Sequence, residues 1–183
     1  MDKNTDRYLN WGEYKGWVRA QLEEVRPEDI RDIVEGLEST EADEAEGGTV
    51  YVLGNGGSQA NAAHLVLHLR DKGYRAIDML GDLPYLTASA NDYGYEGVAS
   101  RMLRQHCAGP PDTLFVISGS GNSPNVLRAL DTAGAHGVRR LGLLGFGGGE
   151  AAQYIEGVVL PSTCYGAVED VHSAIIHYLA TVL

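Results

Sequence analysis

Tyr51-Val52-Leu53-Gly54-Asn55-Gly56-Gly57-Ser58-Gln59-Ala60-Asn61-Ala62-Ala63-His64-Leu65-Val66-Leu67-His68 is the stretch that decides how the rest of the chain is read. A β-branched and apolar run from Thr49 to Leu53 breaks into a glycine-rich loop, and an Ala- and Leu-rich segment then predicts a helix over 58–71. Glycine takes positive φ and lets the backbone approach a ligand closely. Ser58 is placed to cap the helix that follows. A helix N-terminus offers unpaired N–H groups and a positive dipole end, which suits an anion. One turn further in, His64 and His68 stand four residues apart and so share a helix face. Anion-favouring backbone beside two imidazoles asks for a phosphorylated ligand and for proton transfer or metal chemistry.

The surrounding chain is consistent with an enzyme-sized domain. Its 183 residues, 44% hydrophobic, suit one domain with a sizeable core. We divide it into N-terminal helices over 1–46 and an α/β core over 47–183. The formal charge of −11 argues against nucleic acid or an anionic membrane as partner. An anionic small molecule remains compatible, because backbone amides and hydroxyls bind phosphate without a basic surface. No apolar run is long enough to span a bilayer, and the polar N-terminus has no signal-peptide pattern. Cys107 and Cys164 form no CxxC pair and read as buried thiols of a cytoplasmic protein.

Residues 1 to 9 are polar and predict a loose segment. From about Asn10 to Val25, Trp11, Tyr14, Trp17, Val18, Leu22 and Val25 recur at helical spacing. Pro27 opens a second helix with Glu28 and Asp29 in its first turn and Ile30, Ile33, Val34 and Leu37 as its apolar face. The acidic run Glu38 to Glu46 predicts a solvated helix end and loop. An aromatic-rich helical pair outside an α/β core either packs on its own sheet or serves oligomerisation. Strands are then predicted near 49–53, 75–79, 113–118, 139–145 and 157–160. Helices are predicted near 58–71, 83–89, 94–107, 123–136 and 166–182. Alternation of this kind marks a parallel sheet covered on both faces, with ligands at the carboxyl ends of its strands near a topological switch point.

A second loop of the same character, Ser118-Gly119-Ser120-Gly121-Asn122-Ser123-Pro124, lies between the third strand and a helix, with Ser123 as cap and Pro124 at the first helical position. Three hydroxyls and the amides of a helix N-terminus make a phosphate cradle that contains no cation. One such loop is an ordinary capping turn; two at strand ends favour binding. The dinucleotide fingerprint fails, because Gln59 and Pro124 stand where its third glycine belongs, and no Gly-Lys-Ser/Thr occurs for a P-loop. In the C-terminal helix, Glu169, Ser173 and His177 form an i, i+4, i+8 stripe, with His172 to its side. Asn91-Asp92 reads equally as a helix stop or as a contact to sugar hydroxyls.

The set GNGGS-x5-H, AND(Y/F)G, IS-x-SGNS-x-NV and a final helix with E-D-V-H-x4-H resembles the sugar-isomerase (SIS) superfamily, and within it the phosphoheptose isomerases. The resemblance covers roughly residues 10 to 183. It implies a three-layer α/β/α sandwich with a five-stranded parallel sheet, a homotetramer with active sites at subunit contacts, and a zinc ion. By position it assigns Asn55, Gly56, Gly57 and Ser58 to the substrate-binding loop, and Asn91 and Asp92 to the family's Asn-Asp pair. It assigns Ser118, Gly119, Ser120 and Ser123 to the phosphate loop. His64 and His177 match two metal-binding histidines, the second also a catalytic acid.

Three positions depart from the family pattern. Gly119 replaces a threonine, His68 stands where the family has its catalytic glutamate, and Glu169 stands where it has glutamine. The family's isomerase moves a proton between C1 and C2 through an enediol, for which a carboxylate is a natural base. Losing that base at 68 while gaining a carboxylate at 169 reads as an exchange of roles between two positions of one cleft. The implied ligand set is His64, His68, Glu169 and His177, all acceptable to zinc. Glu169, His177 and His68 are then the candidate catalytic groups, with either Glu169 or His68 as base. The leading expectation is a metal-dependent aldose–ketose isomerase acting on sedoheptulose 7-phosphate. Alternatives are an eight-carbon sugar phosphate in a specialised pathway, a non-catalytic scaffold, or a sugar-phosphate sensor. Neither Arg70 nor Arg75 can be matched to the family's arginine.

Overall fold

A computed structural model gives the protein's structure over residues 10–41 and 47–183. The polar segment 1–9 and most of the loop part of the acidic run lie outside the described residues. The chain opens with two helices, α1 (Trp11–Glu24) and α2 (Pro27–Glu41). Asn10 caps α1: its side chain accepts the N–H groups of Gly12 and Glu13, and the Glu13 carboxylate accepts the Asn10 N–H in return. The α/β part follows as β1 (Val50–Leu53), α3 (Gly57–Asp71), β2 (Ala76–Asp78), α4 (Leu83–Tyr93), α5 (Val98–Gln105), β3 (Thr113–Ser118), α6 (Pro124–Ala135), β4 (Arg139–Leu144), β5 (Glu156–Val159) and α7 (Tyr165–Val182).

Two boundaries differ by more than one residue from the sequence-based reading. The fourth helix runs on through Asn91 and Asp92 and stops at Gly94, whose φ of +80° suits glycine. The segment expected as one helix over 94–107 is a 3-10 turn at Tyr95–Gly97 followed by α5.

All five strands are parallel, in the order β2-β1-β3-β4-β5. The central strands β1 and β3 are buried throughout, so their side chains feed two cores alternately. Val50, Val52, Phe115 and Ile117 pack against Leu65 and Leu69 of α3, Ile33 and Leu37 of α2, and Ile175 and Ile176 of α7. Tyr51, Leu53, Leu114 and Val116 face Met102 and Leu103 of α5 and Val126 and Leu130 of α6. Helices thus cover both sheet faces, giving the three-layer α/β/α sandwich. The chain leaves β1 towards β2 on one side and returns to β3 on the other, so the crevice between the ends of β1 and β3 is the switch point. Both glycine- and serine-rich loops open there. Among the described residues no helix is long and apolar enough to cross a membrane.

Candidate active site

Each loop at the switch point runs into a helix whose first amides no side chain caps. The residue before α3 is Gly56, with φ +58° and ψ −123°, a conformation open to glycine and costly for other residues. Ser58, expected as the cap, instead lies buried inside the first turn, because the helix starts one residue earlier at Gly57. Ser123 does hold the cap position of α6, yet its hydroxyl makes no capping bond. The first-turn amides of both helices are therefore left to other acceptors.

The second loop is braced from within. The Ser118 hydroxyl accepts the Gly121 N–H at 3.1 Å, and the Ser120 hydroxyl accepts the Asn122 N–H at 3.3 Å. Gly121 has φ +63°, and a Cβ there would run into the carbonyl of Gly148. Asn122 accepts the Glu150 N–H at 2.9 Å and ties the loop to the segment after β4. Gly119 faces Tyr165: a Cβ at 119 would meet two carbons of its ring at 2.7 and 2.8 Å.

Asn55 is fixed by two residues that sequence reasoning did not single out. It exchanges amide hydrogen bonds with Asn125 of α6, both 2.9 Å, and accepts the Tyr95 phenol at 2.6 Å. Its oxygen is thereby used twice and one of its two amide hydrogens once, which leaves one N–H for a ligand. A buried Asn inside the apolar first turn of a helix was the available signal for Asn125. Tyr95 had none. Asn91 and Asp92 are exposed and joined to each other at 2.9 Å, and it is Tyr95, just beyond them, that reaches the first loop. Arg70 donates to the Ala76 carbonyl at 2.9 Å and serves the sheet edge.

The remaining candidates lie where α3 and α7 run side by side. Asn61 donates to the backbone carbonyl of Glu169 at 2.9 Å and holds the two helices in register. The Glu169 carboxylate rests on Gly57, where a Cβ would fill its place. Burial, and then the neighbouring charge of Asp170, push the Glu169 carboxyl above its ordinary value. Two turns on, His177 meets His64 and His68, and one ring nitrogen of each lies within 4.8 Å of the others. The Nε2 atoms of His64 and His68 are 2.9 Å apart. Burial, followed by the charges of His68 and His177, lowers the His64 pKa and favours the neutral imidazole that ligates metal.

The structure thus gathers three of the four expected ligands and leaves Glu169 outside the group. The reason is helix geometry: an i, i+8 pair is aligned about the axis but separated along it by about 12 Å.

The SIS domain family model matches residues 13–145. Phosphoheptose isomerase from Geotalea daltonii is 40% identical over 144 residues, covering 75% of this chain and 74% of the relative. The Rhodospirillum rubrum phosphoheptose isomerase is 37% identical over 140 residues, covering 73% and 74%. Among solved structures, the phosphoheptose isomerase of Neisseria gonorrhoeae superposes with a TM-score of 0.83 at 28% identity, covering 93% of this chain and 92% of that one. The Francisella tularensis phosphoheptose isomerase gives 0.84 at 25% identity, covering 99% and 97%. By sequence and by fold, the chain belongs to the SIS domain family and is a phosphoheptose isomerase-like member of it.

Proposed function

We propose that this sugar phosphate isomerase acts on a seven-carbon ketose phosphate, sedoheptulose 7-phosphate, and converts it to the aldose by moving a proton between C2 and C1 through an enediol. The observation that carries this reading is the layout along α3 and α7. Two uncapped helix N-termini stand at the switch point, a carboxyl with a raised pKa lies beside one of them, and three imidazoles converge two turns further on. The relatives, phosphoheptose isomerases, agree with it.

In this reading the phosphate sits on Ser118, Ser120 and Ser123 and on the amides around Gly119 and Gly121. The free amide hydrogen of Asn55, with Gly56, Gly57 and Ser58, meets the sugar, and Asn91 and Asp92 take its hydroxyls. Glu169 is the base. Its carboxylate stands apart from the three imidazoles, and partial burial brings it closer to the pH at which it works. His177, about 12 Å along α7 from Glu169, does not share its two carbons, and with His68 it orients the sugar. His64, His68 and His177 would hold a divalent ion, zinc by the chemistry of three imidazoles, whose charge would polarise the sugar oxygens. A scaffold or a sensor needs neither the imidazole group nor the carboxyl. We place the enzyme in the cytoplasm as a homotetramer.

Replacing Glu169 with Gln, the residue the family usually carries, tests the assignment. Turnover of sedoheptulose 7-phosphate should fall by about 10²–10⁴-fold while bound metal is retained. Undiminished turnover would move the base to His68.

A further inference from the structure

Away from the cleft, between α5 and α6, the surface holds a depression of about 300 Å³ in which three arginines meet. Arg101 and Arg104 come from one face of α5, three residues apart, and Arg128 comes from α6. Ser100 and Thr132 add hydroxyls to the same wall. In a chain of formal charge −11 this is a local reversal of sign. It persists against the two nearby carboxylates, Asp131 in the wall and Glu96 at the rim.

These guanidinium groups are poorly occupied by the protein itself. Arg128 pairs with Glu96 at 3.1 Å, and both are about half exposed. Arg101 lies over the Tyr93 ring at 4.0 Å, and its Nε is buried without a hydrogen-bond partner. Arg104 reaches the Thr132 hydroxyl at 3.4 Å, the long limit for such a bond. Among the described residues, neither Arg101 nor Arg104 has a carboxylate within ion-pair distance. A buried, unpartnered N–H is costly to leave unmade, so it marks a position where an acceptor belongs.

We propose that this depression binds a second anion, a small phosphomonoester or diphosphate, through the guanidinium groups of Arg101, Arg104 and Arg128. The planar fork of arginine matches phosphate oxygens two at a time, which suits phosphate better than a single carboxylate. The volume lies at the small end of ligand pockets and fits a phosphorylated metabolite of sugar size. The site is separate from the serine loop, none of whose residues lines it. The two also differ in chemistry: hydroxyls and amides hold phosphate at the loop, and cations hold it here. An anion in the depression competes with Glu96 for Arg128, in the same 3-10 turn whose Tyr95 fixes Asn55.

Equilibrium dialysis of the full chain against radiolabelled inorganic phosphate at low ionic strength tests this. Wild-type protein should bind two phosphates per chain. The Ser120→Ala/Ser123→Ala variant should lose one of them and keep the other. Arg104→Glu should do the reverse, weakening its site by about tenfold or more. Arg104 is exposed, so this reversal spares the core, and an unchanged melting temperature verifies that. Arg101→Gln is the second variant and should weaken the same site. The proposal is overturned if wild type binds a single phosphate that the serine variant abolishes, or if both arginine variants keep two. Loss of the serine-loop phosphate alone from wild type would instead count against the substrate site.

Discussion

Of the two imidazoles on α7, His177 meets His64 and His68 at the cleft, whereas His172 is wholly buried beneath it. The His172 ring has no well-formed hydrogen bond, only a weak contact with the Leu144 backbone. Burial pushes its pKa down to about 4 from the ordinary 6.5, and the Leu144 backbone opposes only part of that shift. Between those two values the unfolded chain binds a proton that the native protein refuses. The stability tied to His172 is therefore intact above about pH 6.5 and lost as pH falls towards 4. Urea unfolding at pH 7 and pH 4.5 should show a loss of about 2 kcal/mol in wild type beyond that of His172→Leu. Equal losses in the two proteins would mean that this ring is protonated in the fold. The sequence alone hides this difference, since five residues carry the helix past the cleft to a different face.

At the scale of elements, the start of α7 closes over the loop after β3. Tyr165 packs on Phe146 with the rings tilted at 46° and their centroids 4.5 Å apart, and Phe146 is held at φ +52°, a region that costs a bulky residue energy. The Tyr165 ring fills the space that a side chain at Gly119 would need, so glycine at 119 and tyrosine at 165 are coupled by packing. Gly119→Thr should destabilise the protein by about 1–3 kcal/mol through overpacking. Gly119→Thr/Tyr165→Ala should melt close to Tyr165→Ala alone, and a Gly119→Thr penalty that persists without Tyr165 would contradict this. Strand and helix alternation from Thr49 onward was legible because buried parallel strands and amphipathic helices each have a period. The two loops were legible because Gly56 and Gly121 need φ values that only glycine takes cheaply. The Asn55–Asn125–Tyr95 network was not legible, because it joins residues 40 and 70 positions apart that topology alone brings together. Nor could the stripe through Glu169 and His177 reveal that axial rise parts them: angular alignment is written in spacing, but which residue of α3 lies opposite each is not.

For the whole molecule, α1 and α7 each carry three of the large exposed apolar side chains found among the described residues. Trp11 is 71% and Trp17 38% exposed, and no residue of α1 is buried. A groove of Leu22, Val25, Ile30, Ile175 and Tyr178 continues that surface. Tyr14 secures α1 to α7 by donating to Asp170 at 2.7 Å, next to Glu169. An assembly that covers these helices would therefore press on the element that carries the proposed base. The central claim, proton transfer between C2 and C1 at this cleft, is tested most directly by turning over sedoheptulose 7-phosphate in deuterium oxide with zinc supplied, and examining the aldose by NMR. Deuterium should appear at C2 of the product, and both product and label should vanish with Glu169→Gln. No aldose, or aldose formed at an unchanged rate by Glu169→Gln, would contradict it.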